Sequence, residues 1–152
     1  MKRIFLSVVL FFGIIALLTY VSFQKTTVSQ PVAADRVTIG NAIFTVVIAD
    51  TDAERTLGLS GRTTLDPDTG LLFIFENPSR AGIWMKDMNI PIDILWFDQD
   101  LKLISVKENA TPASYPDIFY PTKNALYVLE VPTGTIRSHN ISIGQQATFS
   151  RK

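Results

Sequence analysis

The chain has no cysteine and only one histidine in 152 residues. Without thiols there is no disulfide framework, no cysteine-rich structural zinc, no thiol nucleophile and no lipid attached through an N-terminal cysteine. The lone His139 falls in the polar run Arg137-Ser138-His139-Asn140, where a solvated ring is expected rather than a catalytic base. An excess of charge is also missing, since fourteen basic side chains cancel fourteen acidic ones. The balance is uneven along the chain: Lys2, Arg3 and Lys25 flank an apolar stretch, which leaves eleven basic against fourteen acidic residues from Asp35 onward. A mildly acidic domain lacks the basic face that nucleic acid requires, so no nucleic-acid partner is expected. The turn Asp66-Pro67-Asp68-Thr69-Gly70 lacks the alternating acids and terminal glutamate of a calcium loop, and reads as a plain turn. No metal and no cofactor are expected.

What is present begins with an uncharged run, Ile4 to Phe23, behind Met1-Lys2-Arg3. Twenty uncharged, mostly apolar residues match the thickness of a bilayer's hydrocarbon core and exceed the usual signal-peptide core. Lys2 and Arg3 favour a cytoplasmic N-terminus, with the rest of the chain translocated. The expected organisation is a cytoplasmic end at 1–3, a single-pass transmembrane signal-anchor helix at 4–23, a polar linker at 24–34 and an extracytoplasmic domain at 35–152. A cleaved signal would leave the domain on the same side of the cell membrane, periplasmic or extracellular.

Within the domain, Gly40-Asn41 splits two β-branched runs, a hairpin signal. Thr51 and Glu54 have capping-box spacing, which predicts a helix of about two turns ending at Gly58 or Gly61. Leu71 to Phe75 and Ala81 to Lys86 read as strands, and Ile92 to Asp98 with Leu101 to Lys107 as a second hairpin. From Ala110 to Asn124 prolines and aromatics alternate irregularly, as in a packed loop or lid. Ala125 to Val131 is the strongest late strand, a helical turn fits Thr135 to Ser138, and Gln146 to Phe149 closes the sheet. Seven or eight short strands predict a mainly β domain with one or two short helices, a β-rich α+β antiparallel barrel or curled sandwich.

Two acids interrupt apolar strands. Glu130 shares the two-residue period of Leu126 and Val128, while Asp93 shares that of Leu95 and Phe97. A buried carboxylate must be paired, hydrogen-bonded or protonated. Lys86, Arg55 and Arg62 are the cations within reach of such an arrangement, and Trp84 supplies an aromatic surface. The pattern leaves three readings open: a structural ion-pair network, a pocket for a small polar ligand such as a sugar on the indole, or acid–base catalysis by paired carboxylates.

The ordered blocks Glu54 to Leu59 (E-R-x-x-G-L) with Arg62, Gly70 to Phe75 (G-L-L-F-x-F), Trp84-Met85-Lys86, Ile90 to Asp93 (I-P-I-D) and Val128 to Gly134 (V-L-E-x-P-x-G) resemble the domain-of-unknown-function 192 family. The resemblance spans about Val37 to Phe149. It implies a compact, often exported β-rich domain of prokaryotes, with no established activity. Its recurrent positions fall on Arg55, Gly58, Arg62, Trp84, Lys86, Pro91, Asp93, Glu130 and Gly134. The chain departs at Ser60, where methionine is usual, and at Asp87-Met88 in place of an Asn-Thr pair. The reading carried forward is a membrane-tethered binding or accessory module whose pocket involves Arg55, Arg62, Trp84, Lys86, Asp93 and Glu130. An envelope hydrolase or transferase, and an interaction module with an envelope protein partner and no ligand site, are the alternatives.

Overall fold

In a computed structural model the described residues are 35–151, so the expected anchor (4–23) and linker (24–34) lie outside them. Among the described residues no helix is long and apolar enough to cross a membrane.

The chain enters through the expected hairpin. Strand β1 (Asp35–Ile39) pairs antiparallel with β2 (Ala42–Ala49), and Gly40 at the turn has φ +58°. Val37, Ile39, Ala42, Phe44 and Val46 are buried, and Ile43, Thr45 and Val47 of β2 face out. Helix α1 (Asp52–Leu57) is set by the capping box: Thr51 Oγ1 accepts from the Glu54 N–H, and the Glu54 carboxylate accepts from the Thr51 N–H. It ends at Gly58, whose φ of +52° an L side chain would resist.

Strand β3 (Thr69–Ser79) then runs parallel to β2, with Val47 opposite Leu71. It is the one parallel pair among the described strands, in a sheet expected to be mostly antiparallel. A hairpin would reverse the chain, whereas α1 and the loop behind it carry it back to the start of β2, the crossover that parallel pairing needs.

The main sheet is completed by β5 (Ile92–Phe97), β6 (Leu103–Ala110), β8 (Ala125–Pro132) and β9 (Ala147–Ser150). Its order is β6-β5-β8-β3-β2-β1-β9. A separate two-stranded sheet joins β4 (Ile83–Trp84) to β7 (Ile118–Phe119). The Ala81 to Lys86 run therefore forms only a two-residue strand, because β7 offers only two partners and Asp87, at φ +56°, turns the chain away. The sheet curls into a half-barrel. At one end its edges touch, with the Leu103 N–H donating to Gln145 O and the Ala147 N–H to Leu101 O, both at 2.9 Å. A four-residue helix, α2 (Thr135–Ser138), follows β8. His139 behind it is half-buried rather than solvated, its ring at a steep angle to Phe44, 6.2 Å between centroids.

Curling divides the apolar side chains into two cores. One, inside the curl, gathers Ile39, Phe44, Leu72, Leu95, Phe97 and Leu129. The other gathers Leu59, Phe73, Ile83, Ile94, Trp96 and Val128 on the opposite face, under the small sheet. Each central strand contributes to both, so β5 is buried along its whole length.

Candidate functional site

The two acids singled out in the sequence are neighbours in the sheet, yet they face opposite ways. In the β5–β8 ladder Asp93 lies opposite Val131 and Ile94 opposite Glu130. Residues directly across a ladder share a face, and consecutive residues alternate. Asp93 therefore joins the inner core and Glu130 the outer one. The geometry does not bring them together as a dyad.

Asp93, 1% exposed, is fully engaged by backbone. Its Oδ1 accepts from the Asn109 N–H at 2.9 Å, and its Oδ2 accepts from the Ile136 N–H at 3.0 Å. Asn109 sits in the register shift between β5 and β6 with φ +48°, and Ile136 lies in the first turn of α2. One carboxylate thus fixes an irregular strand and the start of a short helix.

Glu130 is 4% exposed, and no backbone hydrogen bond contributes to its titration. Its Oε2 is fully buried with no hydrogen-bond partner among the described residues. Burial in this apolar setting pushes its carboxyl up to about 8, so at neutral pH it carries a proton. The side chain lines a pocket of about 50 Å³, whose walls include Leu59, Phe73, Ile83 and Met88. The pocket's rim includes Arg55, Trp84 and Lys86. Four of the six residues proposed from sequence therefore meet in one concavity: Arg55, Trp84, Lys86 and Glu130.

The backbone around the acid is drawn in tightly. A Cβ at Gly70 of β3 would stand 2.6 Å from the Glu130 carbonyl oxygen, so only glycine lets β3 approach β8 there. Gly82 plays the same part on the far wall, where a Cβ would meet the Ile118 and Tyr120 side chains at 2.5 and 2.6 Å. The rim is tied across the mouth. Ser60 Oγ donates to the Lys86 carbonyl at 3.0 Å, and the Gly61 N–H donates to the Asp87 carbonyl at 2.8 Å. The departure at Ser60 thus supplies a hydrogen bond that a methionine could not.

The cations differ in availability. Arg55 bonds Asp52 at 2.6 Å and the Ile74 carbonyl at 2.8 Å, with its guanidinium 5.4 Å from the Phe75 ring centre. It serves mainly to dock α1 on β3. Lys86 is exposed and makes no ion pair among the described residues; its Nζ lies 5.7 Å from the Trp84 ring centre. Arg62 is exposed and stands outside the pocket wall. The ion-pair network that the sequence left open does not involve either flagged strand acid. The salt bridges of the described residues join Arg55 to Asp52, Arg137 to Glu108 and Arg151 to Asp50. No group of three or more histidine or acidic residues among the described residues could hold a metal ion.

Sequence reasoning missed the apolar walls. Phe73 reaches the pocket because Leu71 registers with Glu130 and Phe73 with Val128, a pairing no local pattern announces. Gly82 carried no sequence signal at all.

Known proteins share this arrangement of strands. A crystal structure of a protein of unknown function from Novosphingobium aromaticivorans superposes with a TM-score of 0.72 at 28% identity, covering 78% of this chain and 89% of that one. A Sinorhizobium meliloti protein described as a candidate transcription regulator gives 0.72 at 30% identity, over 79% and 98%. A UPF0127 protein of Thermococcus gammatolerans is 30% identical over 99 residues; the match spans 65% of this chain and 62% of that protein's length. The family model DUF192, described as "Uncharacterized ACR", matches residues 35–149, and the chain belongs to that family.

Proposed function

We propose that the domain is a binding module, held at the outer face of the cell membrane by its N-terminal apolar segment, that takes a small polar ligand against Glu130. The observation that carries this reading is Glu130 itself, a buried acid among the residues that line a pocket, with an Oε2 that has no hydrogen-bond partner among the described residues. An unsatisfied buried polar atom costs about 1–3 kcal/mol, and a ligand that hydrogen-bonds it recovers that cost on binding. Catalysis by paired carboxylates finds less support, since Asp93 points into the other core and is occupied by two backbone N–H groups. The eleven-to-fourteen charge balance from Asp35 onward argues against a nucleic-acid partner.

Thermal unfolding of the full chain in a mild detergent, screened against sugars, cell-wall fragments and small amides, tests the reading. A ligand at a hundred times its Kd adds about 2.7 kcal/mol and shifts the midpoint by several degrees. The shift should vanish in a folded Glu130→Leu variant; a shift that survives there places the ligand elsewhere and ends the proposal. For the tether, a C-terminal alkaline phosphatase fusion should be active, and an inactive, stably expressed fusion contradicts an outward-facing domain.

A further inference from the structure

We propose that the group entering the pocket is an acetamido group, presented by an N-acetylated aminosugar whose ring stays outside on the neighbouring aromatic side chains. This rests on the pocket reading above and names its ligand. Size comes first. A cavity needs roughly 10–15 Å³ of such space per water, so about 50 Å³ admits roughly four non-hydrogen atoms. A whole pyranose does not fit; an acetamido group has that number of heavy atoms.

The walls sort the chemistry. Leu59, Phe73, Ile83 and Met88 offer an apolar lining suited to a methyl group. Glu130 is the buried polar group among them, and its Oε2 lacks a hydrogen-bond partner among the described residues. A protonated carboxyl donates, and an amide carbonyl is a strong acceptor: the acetamido carbonyl accepts from the Glu130 O–H, while its N–H, anti to the carbonyl in a trans amide, points away from Glu130. That hydrogen bond buries no charge, and the methyl lies against the apolar lining. An ammonium is a poorer match, because Arg55 and Lys86 stand at the same pocket. An acetylated lysine is poorer for another reason, since its four-carbon stem needs a channel that a pocket of this size lacks.

Outside the pocket the surface is aromatic. Trp84 is 44% exposed and lies at a steep angle to Tyr115, itself 47% exposed, with ring centroids 6.3 Å apart. Tyr120, 54% exposed, flanks Gly82 on the pocket wall. Rings with one apolar face and a polar tip suit the mixed surface of a sugar. Lys86, free of ion pairs among the described residues, can donate to its hydroxyls.

Titration calorimetry on the full chain in mild detergent, with N-acetylglucosamine, glucose, glucosamine, glucuronate and Nε-acetyl-lysine as probes, decides the matter. N-acetylglucosamine should bind at least about tenfold more tightly than glucose or glucosamine, the loss expected for a hydrogen bond and a buried methyl. Glu130→Leu should abolish binding. Glu130→Gln should retain it within about threefold, because its amide still donates. A ligand-induced change in tryptophan fluorescence should disappear in Trp84→Phe, which leaves the buried Trp96 in place. Equal binding of glucuronate or glucosamine overturns the acetamido assignment and leaves the pocket reading standing. Binding of Nε-acetyl-lysine without N-acetylglucosamine overturns the sugar. Binding of no probe, while other small polar molecules still shift the midpoint through Glu130, overturns the inference alone; no Glu130-dependent ligand of any kind overturns both.

Discussion

Asp93 and Glu130 are chemically alike and a lattice step apart in one sheet, yet the fold uses them oppositely. Asp93 accepts two backbone N–H groups that would otherwise be orphaned, one at a strand irregularity and one at a helix start. Asparagine there keeps the shape but turns one acceptor into a donor facing an N–H. Asp93→Asn should therefore cost about 1–3 kcal/mol of stability, read as a lower denaturant midpoint with an unchanged slope. Glu130 should respond in the other direction, since no ion pair or protein hydrogen bond to its Oε2 is lost on substitution. That contrast was half legible in the sequence. Interrupted hydrophobic strands exposed both acids, and strand parity put each with its correct neighbours. The partners of Asp93 were not legible, because Asn109 and Ile136 contribute backbone rather than side chains, and backbone donors leave no mark in a sequence.

At the scale of elements, local signals gave local structure. The Gly40-Asn41 hairpin, the Thr51–Glu54 capping box and the turn at Thr135 all form where short-range chemistry demanded them. The parallel β2–β3 pair and the register of Leu71 on Glu130 did not follow, since both depend on how strands distant in sequence meet. The site depends on that register. Gly70 is the point where β3 presses on β8, with a Cβ position 2.6 Å from a backbone oxygen that cannot swing aside. Gly70→Ala should force the strands apart at Glu130 and destabilise by about 1–3 kcal/mol, seen in equilibrium unfolding. It should also weaken any ligand that depends on Glu130, whereas a substitution at Gly61, with open space around its Cβ position, should spare the site and cost only backbone strain.

For the molecule as a whole, four of the five family blocks meet at one cavity: the helix end at Gly58, Phe73, the pair Trp84 and Lys86, and Glu130 all reach it, from elements far apart in sequence. The same cavity sets how stability depends on pH. Glu130 has an ordinary value near 4.5 when unfolded and about 8 when folded, because burial penalises the carboxylate. Between those values the folded chain keeps a proton that the unfolded chain releases, so stability falls as pH rises through the window and levels off above it. Each pH unit is worth about 1.4 kcal/mol, so the span amounts to several kcal/mol. Arg55 of α1 and Lys86 beyond β4 are the charged groups lining the pocket with it, and burial is the cause of the shift. Glu54 works in the other sense: its hydrogen bonds to Thr51 lower its value, so it contributes stability that is lost as pH falls through that lowered value. Together they place the optimum near the ordinary carboxylate range rather than at neutrality. Urea midpoints of the full chain from pH 4.5 to 9 should decline up to about pH 8, and Glu130→Gln should flatten most of that decline while being the more stable protein at pH 7. A parallel decline in both proteins would mean that another group carries the proton, and that Glu130 is not the buried acid of this fold.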